Sequence, residues 1–171
     1  MREMVESSKR SARDHAIVTL LVATGARRSE VGLMNFGDLA EFVDSGCVRI
    51  SRSKTQSRIA MIDQAAERAV RKWLREVRRR RPSISPSDLA WLVANGPQLV
   101  GRAVGRHSGD ELSPHAIRRW FVTTVARRGM SSASIGRQLG WSAGTTNIMI
   151  GIYTKATASD LLTDEYRRLM R

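Results

Sequence analysis

The stretch Thr24-Gly25-Ala26-Arg27-Arg28-Ser29-Glu30-Val31 decides how this chain is read. Upstream of it, Ala12, Ala16, Ile17, Leu20, Leu21 and Thr24 recur at helical spacing, so a helix with one apolar face spans 12–24. Gly25 stops that helix, because glycine enters the left-handed cap conformation without a Cβ penalty. Ser29 is placed to cap a second short helix through Met34. Arg27 therefore sits at a corner between two helices, with Glu30 three residues on. That spacing lets the carboxylate orient the guanidinium. An oriented guanidinium is a planar, two-pronged cation suited to an oxyanion.

Downstream, the period changes. Val48 and Ile50 alternate with Arg49 and Ser51, a polar turn follows, and Arg58-Ile59-Ala60-Met61-Ile62 resumes the apolar run. This pattern predicts a β-hairpin, with a third strand around Leu39–Val43. Asp63 caps a long helix to about Arg80, with Val70, Trp73, Leu74 and Val77 as its apolar stripe. Three of the four prolines (Pro82, Pro86 and Pro97) fall between residues 81 and 110. Only a short helix over 86–93 is expected there. Ser113-Pro114 opens the next helix, a cap followed by proline at the first helical position. It runs to about Arg128, with Ile117, Trp120, Phe121, Thr124 and Val125 inward and Gly129 at its end. Ser131 or Ser132 starts another, closing at Leu139-Gly140. Residues 142–152 are polar and contain Gly144 and Gly151, so a loop is expected. A last amphipathic helix over about 158–170 carries Leu161, Leu162, Tyr166 and Leu169. The expected fold class is α+β: mostly helical, with a small three-stranded antiparallel sheet.

Composition narrows the partner. A chain of 171 residues suits one domain with a sizeable core. Lys and Arg number 29 against 16 Asp and Glu, a net charge of +13. So basic a domain most often meets a polyanion, nucleic acid ahead of membrane. The one cysteine, Cys47, excludes a disulfide within the chain and is read as a buried small residue in a reducing compartment. No apolar run reaches membrane-spanning length, and residues 1–16 lack an apolar signal core. A cytoplasmic protein is expected, nucleoid-associated in a prokaryote. No Cys, His or carboxylate spacing suggests a metal, and no glycine pattern cradles a nucleotide phosphate, so neither metal nor cofactor is expected.

Five blocks in order now carry a resemblance. The opening stretch resembles the first arginine motif of the tyrosine recombinase (phage integrase) family. Lys54, in Ser53-Lys54-Thr55, is similar to that family's lysine on the turn between its second and third strands. His115-Ala116-Ile117-Arg118 resembles its H-x-L-R motif, and Leu139-Gly140-Trp141 its L-G-[HW] motif. Ile152-Tyr153-Thr154 is similar to the closing stretch with the nucleophile. Each block alone is weak; five in order within one basic domain are specific. The resemblance implies DNA cleavage by Tyr153, giving a 3′-phosphotyrosyl enzyme and a free 5′-hydroxyl, which a second strand's hydroxyl reseals. It also implies double-stranded DNA as partner, a tetramer on synapsed sites, and docking of the last helix on a neighbouring protomer. Family members usually carry a helical DNA-clamp domain ahead of the catalytic one. The present chain, 1–171, is expected to be the single catalytic domain without it.

The residue types suit that chemistry on their own terms. An attacked phosphodiester gathers negative charge on its non-bridging oxygens, and Arg27 and Arg118 can clamp them bidentately. A phenol must lose its proton to attack, and His115 can accept it. His115 and Arg118 share a helix face. Lys54 is suited to protonate the leaving 5′-oxygen. Trp141 has one N–H and no acceptor, so it can only donate. A phosphotyrosine keeps the bond energy, so resealing needs no nucleotide.

Ordinary readings stand beside these. Arg27 can be a solvated arginine, Glu30 a helix-surface charge, Lys54 a plain turn lysine and Trp141 a core residue. His115 can merely cap its helix. Arg52, Arg58 and Arg119 are expected on DNA backbone. The run Arg78–Arg81 suits a solvated helix C-terminus or the backbone. Tyr166 is the rival nucleophile, but it falls on an apolar stripe that packing explains. Trp141 and Tyr153 are also farther apart than the family usually shows, so Tyr153 is expected on a lengthened loop, away from the other residues when DNA is absent. Two other functions compete: a relaxing topoisomerase of the related type, using the same residues, and a DNA-binding protein without catalysis.

Overall fold

The computed structural model describes residues 1–53 and 57–154. Helix α1 (Arg2–Ser8) leads into α2 (Ala12–Thr24), which Ser11 caps by accepting from the Asp14 N–H. Ala16, Ile17, Leu20 and Leu21 are fully buried, as the spacing requires. α2 is the central helix, packed on α5 (Gln64–Arg80) and α7 (Pro114–Arg127). Gly25 closes it at φ 61°, and a Cβ there would lie 2.5 Å from the Phe121 ring. Conformation and space both demand glycine.

The next helix, α3 (Arg28–Gly32), is capped differently from the expectation. Arg27 is the cap residue, and Glu30, not Ser29, reaches back to its N–H at 2.8 Å. A carboxylate at the third helical position makes this reach readily. The helix stops at Gly32, short of Met34, where its backbone meets that of α6 (Gly96–Ser108). A Cβ on Gly96 would lie 1.7 Å from the Gly32 carbonyl oxygen. α6 is an unexpected helix, because Gly96 and Pro97 read as irregular. They are instead start signals: Asn95 accepts from the Gln98 N–H, and Pro97 falls in the first turn. The expected helix at 86–93 is a set of turns held by Trp73 and Trp91, whose indole N–H groups donate to the carbonyls of Ala90 and Val31.

Among the described residues the sheet has two strands, β1 (Cys47–Ile50) and β2 (Arg58–Met61), antiparallel with Val48 opposite Ala60. The third strand expected at 39–43 does not form. Residues Phe36–Ala40 are helix α4, and Val43–Ser45 is a 3-10 turn. Asp38 caps α4 through the Asn35 N–H, and Leu39 and Val43 are buried at a helical interval, not a strand's. Cys47 is half-buried beside Met61 rather than fully inside.

α5 follows the sequence reading, with Asp63 accepting from the Ala66 N–H and Val70, Trp73, Leu74 and Val77 buried. In α7, capped by Ser113, Ile117, Phe121 and Val122 are buried, whereas Trp120 is 38% exposed. α8 (Ser132–Leu139) ends at Gly140. The loop expected over 142–152 is a helix, α9 (Ala143–Thr154), whose first turn closes through Thr145 and Thr146 N–H groups onto the Ser142 carbonyl. Phe121, Val122, Ile135 and Leu139 form a second small core, with Trp141, Ile150 and Tyr153 packed against it. No described helix is long and apolar enough to cross a membrane. Lys54 and the helix expected at 158–170, with Tyr166, lie outside the described residues.

Candidate active site

The site forms where the starts of α3 and α7, the end of α8 and the end of α9 converge. Glu30 is its buried anchor, at 2% exposure. One oxygen accepts from Arg27 Nη1 (2.9 Å), Ser53 Oγ (2.9 Å) and Arg58 Nη1 (3.0 Å). The other accepts from the Arg27 N–H (2.8 Å) and Arg58 Nη2 (2.9 Å). Burial pushes the carboxyl pKa up, but the Arg58 hydrogen bonds and the Arg27 N–H outweigh it and hold the group at about 2. Glu30 is therefore an anion at neutral pH, with Arg27 fixed beside it and partly open to solvent.

Arg118, on α7, is 3% exposed. Its Nη1 donates to the Gly25 carbonyl at 2.6 Å and its Nη2 to the Leu139 carbonyl at 3.4 Å. These are the C-terminal ends of α2 and α8, so one side chain ties two helix ends together. Burial, and then the nearby positive charge of Arg27, lower its pKa to about 10. It remains cationic at neutral pH. Its guanidinium lies 5.2 Å from the Trp141 ring centre, within cation–π range.

Tyr153 comes to this group from α9. Its ring stacks on Trp141, centres 5.8 Å apart and planes 8° from parallel. The exposed His115 ring lies 5.8 Å from the Tyr153 ring, tilted 48° to it. Thr123 donates its hydroxyl to the Tyr153 carbonyl. Tyr153 thus stands on a helix among the other residues, not on a loop apart from them. The extra residues before it are absorbed as helical turns.

Arg27, His115, Arg118, Trp141 and Tyr153 are brought together. Arg27 borders one cleft with Ser29, His115 and Arg118 and another with Arg137 and Trp141. Arg52 and Arg119 are exposed. Arg58 departs from the expectation of a backbone-phosphate contact: its side chain is 8% exposed and turned inward, paired with Glu30 and donating from Nε to the Gln138 carbonyl. A carboxylate buried this deeply demands such a partner. Sequence reading also misses Gln138. Its amide donates to the Met61 carbonyl (2.8 Å) and accepts from the Met61 N–H (3.0 Å), fastening the hairpin to α8. Its one signal is its place just before Leu139-Gly140-Trp141. Among the described residues no group of three or more His, Cys, Asp or Glu is placed to hold a metal ion.

The chain matches the model of the phage integrase family over residues 1–159. The tyrosine recombinase XerD of Corynebacterium glutamicum is 32% identical over 160 residues, covering 87% of this chain and 50% of that protein. The tyrosine recombinase XerC of Mesorhizobium japonicum is 29% identical, covering 89% and 51%. The chain thus spans about half the length of the curated relatives it matches. In fold it is similar to the crystal structure of XerA recombinase, with a TM-score of 0.74, 22% identity and coverage of 99% of this chain and 61% of that one. It is also similar to XerH site-specific recombinase bound to palindromic difH substrate in a post-cleavage complex, with a TM-score of 0.69, 20% identity and coverage of 96% and 50%.

Proposed function

The chain belongs to the phage integrase family, and from that membership and the geometry above we propose that it is the catalytic portion of a site-specific DNA recombinase. The observation that carries the reading is Tyr153, stacked on Trp141 and flanked by His115, with the Arg118 guanidinium over the same indole. The Tyr153 phenolate attacks the phosphorus and the 5′-oxygen leaves, giving a 3′-phosphotyrosyl enzyme. His115 takes the phenol proton, and Lys54 delivers one to the leaving oxygen. Arg27 and Arg118 hold the non-bridging oxygens as charge builds on them. A guanidinium has five N–H donors, so two backbone carbonyls leave Arg118 with donors for a phosphate. Trp141 adds a single N–H. Attack by the 5′-hydroxyl of a partner strand reverses the step.

Double-stranded DNA is the partner, with four protomers on two synapsed sites. An exchange of the segment 158–170 between protomers is supported by an apolar groove between the hairpin and α7–α8. Ile59, Met61, Trp120 and Met130 line it, with Arg128 and Arg137 also at its walls. The segment offers Leu161, Leu162 and Leu169, with Asp160, Asp164 and Glu165 beside Arg167 and Arg168, and so matches the groove in apolarity.

The test uses a pool of nicked duplexes with a randomised site, in excess EDTA and without ATP. An SDS-resistant protein–DNA adduct should accumulate, and its recovered sequences should converge. A strict divalent-cation requirement would point to a nuclease instead. Plasmid relaxation without joining of two sites would point to a relaxing topoisomerase.

A further inference from the structure

Arg58 stands on β2, outside the group of residues that meet around Tyr153, yet it is buried more deeply than Arg27. Its contacts reach three separate regions of the site. Nη1 and Nη2 bind both oxygens of Glu30, which itself holds the backbone and side chain of Arg27. Nη1 also reaches Ser53 Oγ at 3.4 Å, and Ser53 immediately precedes Lys54 in sequence. Nε binds the Gln138 carbonyl at 3.0 Å, and a Cβ on Gly140 would meet Arg58 Nη1 at 3.0 Å, so the guanidinium lies against the turn leading into Trp141.

We infer that Arg58 is a positioning residue for strand cleavage: one fork clasps Glu30 and the Gln138–Gly140 turn, and so sets Arg27 and Trp141 at a fixed separation. The inference rests on the recombinase reading, and it removes Arg58 from the set that meets DNA. Lysine cannot replace it, because the clasp needs three N–H groups in one plane, aimed at two oxygens and a carbonyl. The role also predicts how the site fails. Without Arg58, Glu30 keeps its burial, the Arg27 contacts and the field of Arg118, but loses the guanidinium fork that spans both its oxygens. Burial then raises its pKa, and a protonated Glu30 no longer holds the Arg27 guanidinium as an ion pair.

The test uses the full chain and the single nicked duplex that the wild-type protein enriches from the randomised pool. If the wild type enriches none, the recombinase reading fails before Arg58 is tested. With enrichment, Arg58→Gln should lower the single-turnover cleavage rate at saturating DNA by about a hundredfold, as for misplacement of a catalytic group, with half-saturation nearly unchanged. As pH drops from about 8 to about 5, toward the carboxylate range, its rate should fall more steeply than that of the wild type, which carries the same His115 base. Glu30→Gln placed on Arg58→Gln should abolish that excess fall. If Arg58→Gln does not fold, Arg58→Lys serves: it should fold and still lose about tenfold or more, because the fork is gone. Wild-type cleavage by a folded Arg58→Lys would overturn the inference. So would an Arg58→Gln that weakens half-saturation while leaving the saturated rate and its pH profile unchanged, the behaviour of a phosphate contact.

Discussion

Arg27 and Arg118 are both guanidiniums, but their surroundings divide the labour. Arg27 is partly open and steered by one carboxylate, while Arg118 is buried and anchored by two backbone carbonyls. Arg27→Ala should therefore slow cleavage by about a hundredfold, as for loss of one oxyanion donor, and leave the melting temperature nearly unchanged. Arg118→Ala should slow cleavage at least as much and also destabilise the fold, because the Gly25 carbonyl loses a buried donor. Single-turnover rates and thermal melts of the two variants separate the roles; equal melting losses would contradict the division. Trp141 offers a second contrast. Trp141→Phe keeps an aromatic face against Tyr153 but removes the N–H, so its cleavage rate should fall between wild type and Trp141→Ala. If Trp141→Phe matches wild type, the indole serves by stacking alone.

Among the elements, the α3–α6 contact holds the Arg27–Glu30 corner in place. Gly96→Ala would drive a methyl into the Gly32 carbonyl and force the backbones of the two helices apart. Overpacking of that kind costs about 1–3 kcal/mol, and the melting temperature should drop by several degrees. No drop would mean that the two helices are free to separate. Glu30 adds a pH dependence. Its folded pKa of about 2 lies below the ordinary carboxylate value, so the stability it contributes is present above that value and is lost as pH falls toward 2. Acid unfolding should begin at higher pH in Arg58→Gln than in wild type, and an identical acid midpoint would contradict this. These elements also mark what is legible in the sequence. α2, α5, α7 and α8 carry strong caps and apolar stripes, so pattern suffices. α6 is hidden because glycine and proline mark helix starts as well as loops. α9 is hidden because Gly144, Gly151 and its threonines dilute any stripe; tertiary packing of Ile150 and Tyr153 decides it. The residues meeting around Tyr153 are legible because motif spacing survives such changes. The inward turn of Arg58 is not, since nothing local distinguishes an arginine bound for phosphate from one bound for a buried carboxylate 28 residues away in sequence.

At the scale of the molecule, a net charge of +13 should make DNA binding steeply salt-dependent, with about 0.9 on the log–log slope for each phosphate neutralised. Arg78, Arg79 and Arg80 close α5, with Arg81 as the cap, and all four are exposed. Their replacement by glutamine should flatten the slope if they meet backbone, and an unchanged slope would assign them to a solvated helix end. The groove beside the hairpin separates assembly from chemistry. Met61→Asp, at a position 60% exposed, should leave adduct formation on a single nicked site intact and reduce four-protomer complexes in light scattering. Intact tetramers would remove the groove from the exchange. The predicted cleavage effects all depend on one proposed covalent bond. It is read by peptide mapping of the protein–DNA adduct formed on the enriched nicked duplex, in wild type, Tyr153→Phe and Tyr166→Phe. The expected result is a 3′-phosphotyrosyl peptide containing Tyr153, an adduct that survives in Tyr166→Phe, and none in Tyr153→Phe although DNA binding persists. An adduct that persists in Tyr153→Phe and disappears in Tyr166→Phe would contradict the assignment of Tyr153 as the nucleophile.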